Sequence, residues 1–168
     1  TLGSLEIYGG GTITGAGALT IAGTLTGIGP IAVNLINSGT VAPGESTGIL
    51  WIQGDYTQTA AGKLSIELQG TTAGSGYDKM TISGQANLAG TLEVLRPTGF
   101  VPSGTDSFVI LAYASRNGNF NTITGLDLGG GHTLGVHPGN TTYVLGAESA
   151  GIRVYWDGDG GDNLWTTP

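Results

Sequence analysis

The sequence predicts an all-β protein that begins as a β-solenoid and continues into longer strands. The 168 residues include 33 glycines and 6 prolines, and a glycine inside a helix costs about 1 kcal/mol relative to alanine. Apolar and polar residues alternate with a period of two in many short segments, which places aliphatic side chains on one face of a strand. No long segment shows the helical period. These observations favour strands throughout.

The first 36 residues contain very short alternating segments separated by glycine. Turn signals recur about every 5–8 residues, whereas a β-sandwich usually has them every 8–12. Closely spaced turns are typical of a solenoid rung, one turn of a stacked chain whose strand edges are covered by its neighbours. The short strands are predicted at 5–7, 12–14, 19–21, 24–26 and 31–33.

An imperfect Gly-Thr-aliphatic repeat runs through the chain at irregular intervals, as expected for a degenerate solenoid. Glycine supplies the positive φ angles of tight corners, and Gly23 is predicted to occupy such a corner. The repeat begins at Gly11, Gly23, Gly39 and Gly90, with looser copies at Gly17 and Gly62.

After Asn37 the pattern changes to a turn-rich link over 37–44, followed by longer strands. Residues 108–112 are continuously apolar, which predicts a strand buried on both faces. The longer strands are predicted at 49–52, 55–58, 64–68, 78–82, 91–95 and 108–112, with weaker ones at 134–136, 143–145 and 152–155.

Composition excludes several classes of partner and site. Twelve acidic and five basic residues give a net charge of -7, and the scattered cations argue against nucleic acid, which requires clustered Lys and Arg. The absence of cysteine excludes disulfides and thiolate metal sites. No apolar run approaches the roughly 20 residues that span a bilayer, so membrane insertion of this segment is not expected.

Four segments carry a resemblance to a known family. Residues 37–44 follow the pattern N-x-G-T-v-a-P-G, and residues 54–58 follow G-x-Y-x-Q. Residues 62–68 follow G-x-L-x-I-x-L, and residues 77–92 follow Y-D-x-l-x-v-x-G-x-a-x-L-x-G-T-L. In this order the segments resemble autotransporter passenger-associated repeats.

The resemblance implies both an architecture and a cellular location. Such repeats lie near the C-terminal end of right-handed parallel β-helices in secreted bacterial passengers and cell-surface proteins. The chain is therefore expected to form short β-solenoid rungs over 1–36 and a passenger-repeat-like solenoid and β cap over 37–155. An acidic Gly/Asp linker to a further module is expected over 156–168.

The densest acidic cluster is the predicted linker itself. Asp157, Asp159 and Asp162 have the close spacing of hard oxygen ligands that calcium prefers. The segment lacks the last ligand of an EF-hand loop and contains only one copy resembling a calcium-binding nonapeptide. A solvated linker and a calcium site therefore both remain open, so the chain is expected to bind either no cofactor or calcium.

Other reactive residues do not form a recognisable catalytic set. His132 and His137 are five positions apart, an odd spacing that places them on opposite faces of a strand, so a zinc site is not favoured. A glycan-degrading enzyme would need two carboxyl groups roughly 5–10 Å apart. Its candidates are Asp55, Glu67, Asp78 and Glu93, with Lys63, Lys79 or Arg96 as cationic help.

The leading hypothesis is a structural, non-catalytic segment of an exported bacterial surface or extracellular protein. It would be a rigid stalk, an adhesin or a self-assembling fibre subunit. The N-terminal rungs are expected to mediate self-association or contact with other surface proteins. The alternatives are a polysaccharide-degrading β-helix enzyme and a carbohydrate-binding module that presents Trp51, Tyr56, Tyr77 and Tyr113 to a glycan.

Overall fold

A computed structural model describes residues 3–7 and 11–149 of the chain. The described residues form sixteen strands and no helix, which confirms the all-β prediction. Within those ranges, no helix exists that could cross a bilayer. The strands are β1 (Leu5–Ile7), β2 (Ala18–Ile21), β3 (Thr24–Gly27), β4 (Gly29–Ile31), β5 (Asn34–Asn37), β6 (Thr40–Pro43), β7 (Ile49–Ile52), β8 (Tyr56–Gln58), β9 (Lys63–Glu67), β10 (Lys79–Leu88), β11 (Thr91–Leu95), β12 (Ser107–Gly118), β13 (Thr122–Thr124), β14 (Asp127–Gly129), β15 (His132–Pro138) and β16 (Thr142–Ser149).

The strands form two sheets. The six-stranded sheet has the order β1-β3-β6-β9-β11-β13, and all its neighbours are parallel. The ten-stranded sheet has the order β14-β15-β16-β12-β10-β8-β5-β2, with β4 paired to β7 and β7 paired to β10. This second sheet is mixed, because β14, β15 and β16 pair antiparallel while its other strands are parallel.

The chain passes back and forth between the two sheets. From β9 to β13, successive strands belong alternately to the six-stranded and the ten-stranded sheet. Strands that are neighbours in a sheet are therefore distant in sequence. The hydrogen bond between Asn34 and Asp55 spans 21 residues, and the bond between Asp55 and Gln85 spans 30.

The Gly-Thr-aliphatic repeat marks one column of the six-stranded sheet. Leu25 pairs with Val41, Val41 with Leu64, and Leu64 with Leu92. In each of these strands, the glycine two positions before the paired residue therefore occupies an equivalent position, at the entry to the strand. These glycines are Gly23, Gly39, Gly62 and Gly90. The variable intervals in the sequence reflect connections of different length between strands that remain in register.

These glycines are needed chiefly because neighbouring backbones approach closely. The amide of Thr40 donates to the Gly23 carbonyl at 2.7 Å, and a Cβ at Gly39 would lie 2.0 Å from that oxygen. The expected positive φ at Gly23 is wrong, because Gly23 is not among the glycines in that region. Its Cβ would instead lie 1.5 Å from the Gly3 carbonyl oxygen.

One hydrophobic core contains side chains from both sheets. Inward-facing aliphatic residues form columns across the paired strands, and the column in the middle of the six-stranded sheet is completely buried over four strands, β3, β6, β9 and β11. The members of this buried column are Leu25, Val41, Leu64 and Leu92. Because aliphatic side chains stack on aliphatic side chains, each strand removes apolar surface of its neighbour from water.

Strands β10, β12, β15 and β16 are all much longer than predicted, and β10 and β12 show how the parallel part differs. β10 pairs with β7 through its first half and with β8 through its second, so it replaces two short strands by one. β12 extends to Gly118, well past the predicted end at Ala112. Its apolar part is confirmed as largely buried. Ile110 and Leu111 are both buried although they are consecutive, because β12 has a register shift between Val109 and Leu111 opposite β16.

Other local predictions differ from the structure. The predicted strand 12–14 is wrong: only Ile13 forms a bridge, to Ile31. Part of the predicted turn-rich link is strand β6, because Thr40–Pro43 pairs in parallel with β3. The predicted strand 31–33 is wrong beyond Ile31, where β4 ends, and β5, β13 and β14 were not predicted. The predicted strand 152–155 lies outside the described residues.

The last three strands form an antiparallel extension of the ten-stranded sheet. β12 pairs with β16, β16 with β15, and β15 with β14. The extension contributes three buried side chains to the common core, those of Leu128, Leu134 and Leu145. The edge-to-face contact between Phe120 and Tyr143, with ring centroids 5.2 Å apart, joins the extension to the segment before β13.

Candidate functional site

A buried polar network joins the two sheets where the chain turns from one into the other. Asn37 donates to the Tyr56 hydroxyl at 3.2 Å, to Gln58 at 3.3 Å and to the Lys63 carbonyl at 2.9 Å. Tyr56 in turn donates to the Gln58 amide oxygen at 2.7 Å. Asn37, Tyr56 and Gln58 are each at most 2% exposed, so the network lies inside the fold.

Gln58 extends this network to the next strands. Its amide nitrogen lies within 2.9 Å of the Ala89 and Thr91 carbonyl oxygens and 3.2 Å from that of Gly62. Burial is the larger influence on the Tyr56 phenol and holds its pKa well above the ordinary value, whereas the Asn37 bond lowers it. The phenol therefore stays protonated and acts as a hydrogen-bonding brace.

An open groove of about 400 Å³ lies beside the six-stranded sheet. β1, β3, β6 and β9 line it together with the residues that follow β6 and precede β10. The described residues that line the groove are predominantly acidic and hydroxylic, and none of them is basic. Its polar side chains are Glu6, Thr26, Glu45, Ser46, Ser65, Glu67 and Asp78.

Asp78 is the most buried carboxyl group of the groove. It is 1% exposed, and its two oxygens accept backbone N–H bonds from Gly48 at 2.7 Å and Glu67 at 2.8 Å. Burial raises the pKa of Asp78 to about 7; the two N–H bonds oppose this shift, and the nearby Glu67 carboxylate adds to it. Since both oxygens are engaged by backbone, Asp78 holds segments together.

Glu93 lies on β11, the neighbour of β9 in the six-stranded sheet, and forms an ion pair with Lys63 of β9. The Lys63 Nζ and the Glu93 carboxylate are 2.9 Å apart, and the Ser65 hydroxyl donates to the same oxygen at 3.2 Å. The Lys63 hydrogen bond is the main reason that the pKa of Glu93 lies below its ordinary value. Both side chains are partly exposed, so water screens the pair.

The other charged residues considered for catalysis lie elsewhere. Asp55 is exposed and accepts the Gln85 backbone N–H at 2.7 Å. Arg96 donates to the carbonyls of Phe100 and Asp127, which ties the connection after β11 to β14. The structure thus brings Glu67 and Asp78 into one groove and separates them from Asp55 and Arg96.

The predicted aromatic surface for a glycan is wrong for three of its four members. Tyr56, Tyr77 and Tyr113 are buried, at 0%, 7% and 5% exposure, whereas Trp51 is 43% exposed. Tyr77 packs edge-to-face on Phe108 with ring centroids 5.3 Å apart. Of this set, Trp51 alone could stack against a ligand.

The two histidines lie on the antiparallel strand β15. The His137 Nε2 is 3.2 Å from the Glu148 carboxylate, and both side chains are about half exposed. His132 pairs with Ser149 at the other end of the strand. Among residues 3–7 and 11–149, no group of three or more His, Asp or Glu side chains could hold a metal ion.

The predicted calcium ligands Asp157, Asp159 and Asp162 lie outside the described residues. Calcium binding by that segment therefore stays a prediction.

Sequence reasoning missed the groove because its walls come from distant segments. Glu6, Glu45 and Asp78 meet because β1, β3, β6 and β9 follow one another in one sheet and Asp78 is hydrogen-bonded to Glu67 of β9. The repeat offered a partial signal. Aligning the segments at Gly23, Gly39 and Gly62 would have placed Thr26, Ala42 and Ser65 in one column.

A scan against protein-family models finds no family that matches the chain, and a search of the curated proteins finds none that matches it either.

Proposed function

We propose that this chain is a structural, non-catalytic segment of an exported bacterial surface or extracellular protein. In this proposal the parallel strands are rungs of a right-handed β-solenoid, and β14–β16 belong to its C-terminal cap. The segment would act as a rigid stalk, as part of an adhesin, or as a self-assembling fibre subunit.

The observation that carries the proposal is the continuous register of the parallel strands. Leu25, Val41, Leu64 and Leu92 form a column with no exposed surface. A fold whose strands repeat in this way extends in one direction and depends on contacts between nearest neighbours. Such a scaffold suits a spacer.

The buried motif residues support a scaffolding role. Asn37, Tyr56, Gln58 and Asp78 belong to the segments that resemble autotransporter passenger-associated repeats. Each is buried and hydrogen-bonded to backbone or to another of these side chains. In this proposal these segments resemble the family because stacked strands need buried, hydrogen-bonded side chains at these positions. The resemblance is also the reason for proposing an exported bacterial protein.

Labelling of intact source cells tests the proposed location. An antibody raised against the purified chain is expected to label unbroken cells, and mild protease treatment of those cells is expected to remove the signal. Labelling that requires cell lysis would contradict the proposal.

Electron microscopy of the purified chain, with and without a calcium chelator, separates the structural variants. Regular filaments would favour a fibre subunit, and their loss on chelation would assign calcium a role through Asp157, Asp159 and Asp162. Isolated particles under both conditions would favour a stalk segment.

A polysaccharide-degrading function is the second candidate, because the groove contains Glu67 and Asp78 together with Ser46 and Ser65. This candidate predicts release of reducing sugar or unsaturated product from a polysaccharide panel, with activity lost in Glu67→Gln. Equal product release by the Glu67→Gln variant and the parent chain would exclude this site.

A further inference from the structure

Asp78 connects three segments through a compact set of backbone bonds. Its carboxylate accepts the N–H groups of Gly48 and Glu67, at 2.7 and 2.8 Å. The Asp78 amide donates to the Glu67 carbonyl at 3.0 Å, and the Lys79 amide donates to the Gly48 carbonyl at 2.9 Å. We call Gly48, Glu67, Asp78 and Lys79 the Asp78 clasp. It fixes the end of the β6–β7 connection against β9 and β10.

Among the residues that the structure describes, none provides a counter-ion for the charge of the clasp. The ion pairs formed within the described ranges are Lys63–Glu93 and His137–Glu148, and neither includes Asp78. The titratable groups that line the same groove are Glu45 after β6, Glu67 on β9 and Glu6 on β1, all of them acids. Lys79 follows Asp78 and is the first residue of β10. Its bond to the clasp is formed by its backbone amide.

Two opposing effects act on this carboxyl group. Backbone N–H donors favour the charged form, whereas burial and neighbouring carboxylates disfavour it. An ionised group that is 1% exposed and faces acids loses most of its solvation without gaining an opposite charge. The neutral form keeps an acceptor for a backbone N–H and removes the buried charge, so the balance favours protonation.

We propose that the Asp78 clasp is a proton-linked latch: the folded chain takes up a proton there on mild acidification, and the folded state is then more stable relative to the unfolded state than at alkaline pH. This latch lies in the fold itself and does not depend on the function proposed above. It would make the contribution of this group to stability larger in an acidic medium than in an alkaline one.

The direction in which stability changes with pH follows from the pKa of Asp78 in the folded and in the unfolded chain. Burial raises the pKa of Asp78 from its ordinary value of 3.8 to about 7 in the folded protein. Between these values the folded state binds more protons than the unfolded state, so stability falls as the pH rises. The contribution is fully present below the unfolded value and is lost as the pH rises through about 7. Over the range from about pH 5 to pH 8, this group alone lowers the folding equilibrium constant by about a hundredfold.

Urea unfolding of the full chain at about pH 5 and about pH 8 tests the latch. The parent chain is expected to show a higher midpoint at the acidic pH. Asp78→Asn is expected to remove most of this difference, because its neutral amide resembles the protonated carboxyl group. Asp55→Asn is the matched control, since Asp55 also accepts a backbone N–H across strands but is exposed. It should keep the parent's difference. An Asp78→Asn variant that also keeps it would overturn the proposal.

A second measurement decides the case in which Asp78→Asn does not fold. Carboxyl-carbon NMR of the parent chain is expected to show the Asp78 resonance titrating near neutral pH, far above an ordinary aspartate. Titration of the Asp78 resonance below about pH 5 would overturn the latch, because the folded chain would then take up no extra proton.

Discussion

The parallel strands and the antiparallel extension connect and pair their strands in different ways. From β1 to β13, partner strands are separated by long connections, and equivalent residues stack in columns. In β14–β16, consecutive strands pair directly, and the sequence has no column to repeat. The glycines show the difference. Gly39 and Gly62 lie against neighbouring backbone, whereas the nearest atoms to a Cβ at Gly146 belong to the His137 side chain at 3.4 Å.

This difference indicates where the fold tolerates change. A contact with backbone carbonyls cannot relax without moving a whole strand, whereas the end of an exposed side chain can rotate away. Substitutions in the parallel part should therefore lower the free energy of unfolding more than similar substitutions in the antiparallel part.

The largest effect is expected at a column glycine. Gly39→Ala places a Cβ 2.0 Å from the Gly23 carbonyl oxygen, and the strand must shift to relieve this overlap. We expect a loss of about 3 kcal/mol in the free energy of unfolding, measured by urea denaturation. Gly146→Ala is the control in the antiparallel part and should change stability by less than about 1 kcal/mol. Equal losses in the two variants would remove the distinction between the regions.

The second effect is expected in the buried polar network. Gln58→Leu keeps the approximate volume but leaves the Ala89 and Thr91 carbonyls without their side-chain donor. Buried polar groups that lose their partner cost about 1–3 kcal/mol, so we expect a loss of about 2 kcal/mol. Thermal unfolding would measure it. Gln69→Leu is the control, because its bonds to Ser46 and Glu67 lie near the surface. A Gln58→Leu variant as stable as Gln69→Leu would show that the network contributes little.

The smallest effect is expected at the ion pair on the outer face of the six-stranded sheet. Lys63→Ala removes the partner of Glu93, but partly exposed pairs contribute only about 0–1 kcal/mol. Because the pKa of Glu93 is lowered, its contribution is present above the ordinary value of 4.5 and is lost as the pH falls through the folded value. Stability of the parent and of Lys63→Ala should converge at acidic pH and at high salt. A loss of several kcal/mol would mean that the pair is shielded from water.

The repeat in the sequence predicted more of the fold than its irregular spacing suggested. Gly23, Gly39, Gly62 and Gly90 were recognised as equivalent, and the structure stacks the residues that follow them in register. Gly11 was recognised too, but the residues that follow it form only the bridge at Ile13. A local pattern cannot show whether a neighbouring strand is available to pair with it.

Polar residues were harder to interpret than aliphatic ones. Tyr56 was considered a surface aromatic, yet it is buried because Asn37 and Gln58 satisfy its hydroxyl group. Asp78 was a candidate carboxyl group of a glycan-degrading site, yet it is buried, and the Gly48 and Glu67 amides donate to both of its oxygens. In both cases a distant partner makes burial possible, and the alternation of a single strand carries no information about that partner.

The most direct test of the proposed solenoid is deletion of one complete rung. Removal of residues 24–39 joins Gly23 to Thr40, the residue that pairs with Thr24, and so preserves the register. Removal of residues 32–47 deletes the same number but joins Ile31 to Gly48, whereas Ile31 pairs with Ile52. We expect the first variant to keep a β-type circular dichroism spectrum and a cooperative thermal transition, and the second to lose both. Unfolding of both variants alike would contradict the account, because rungs stacked in register should be removable as units.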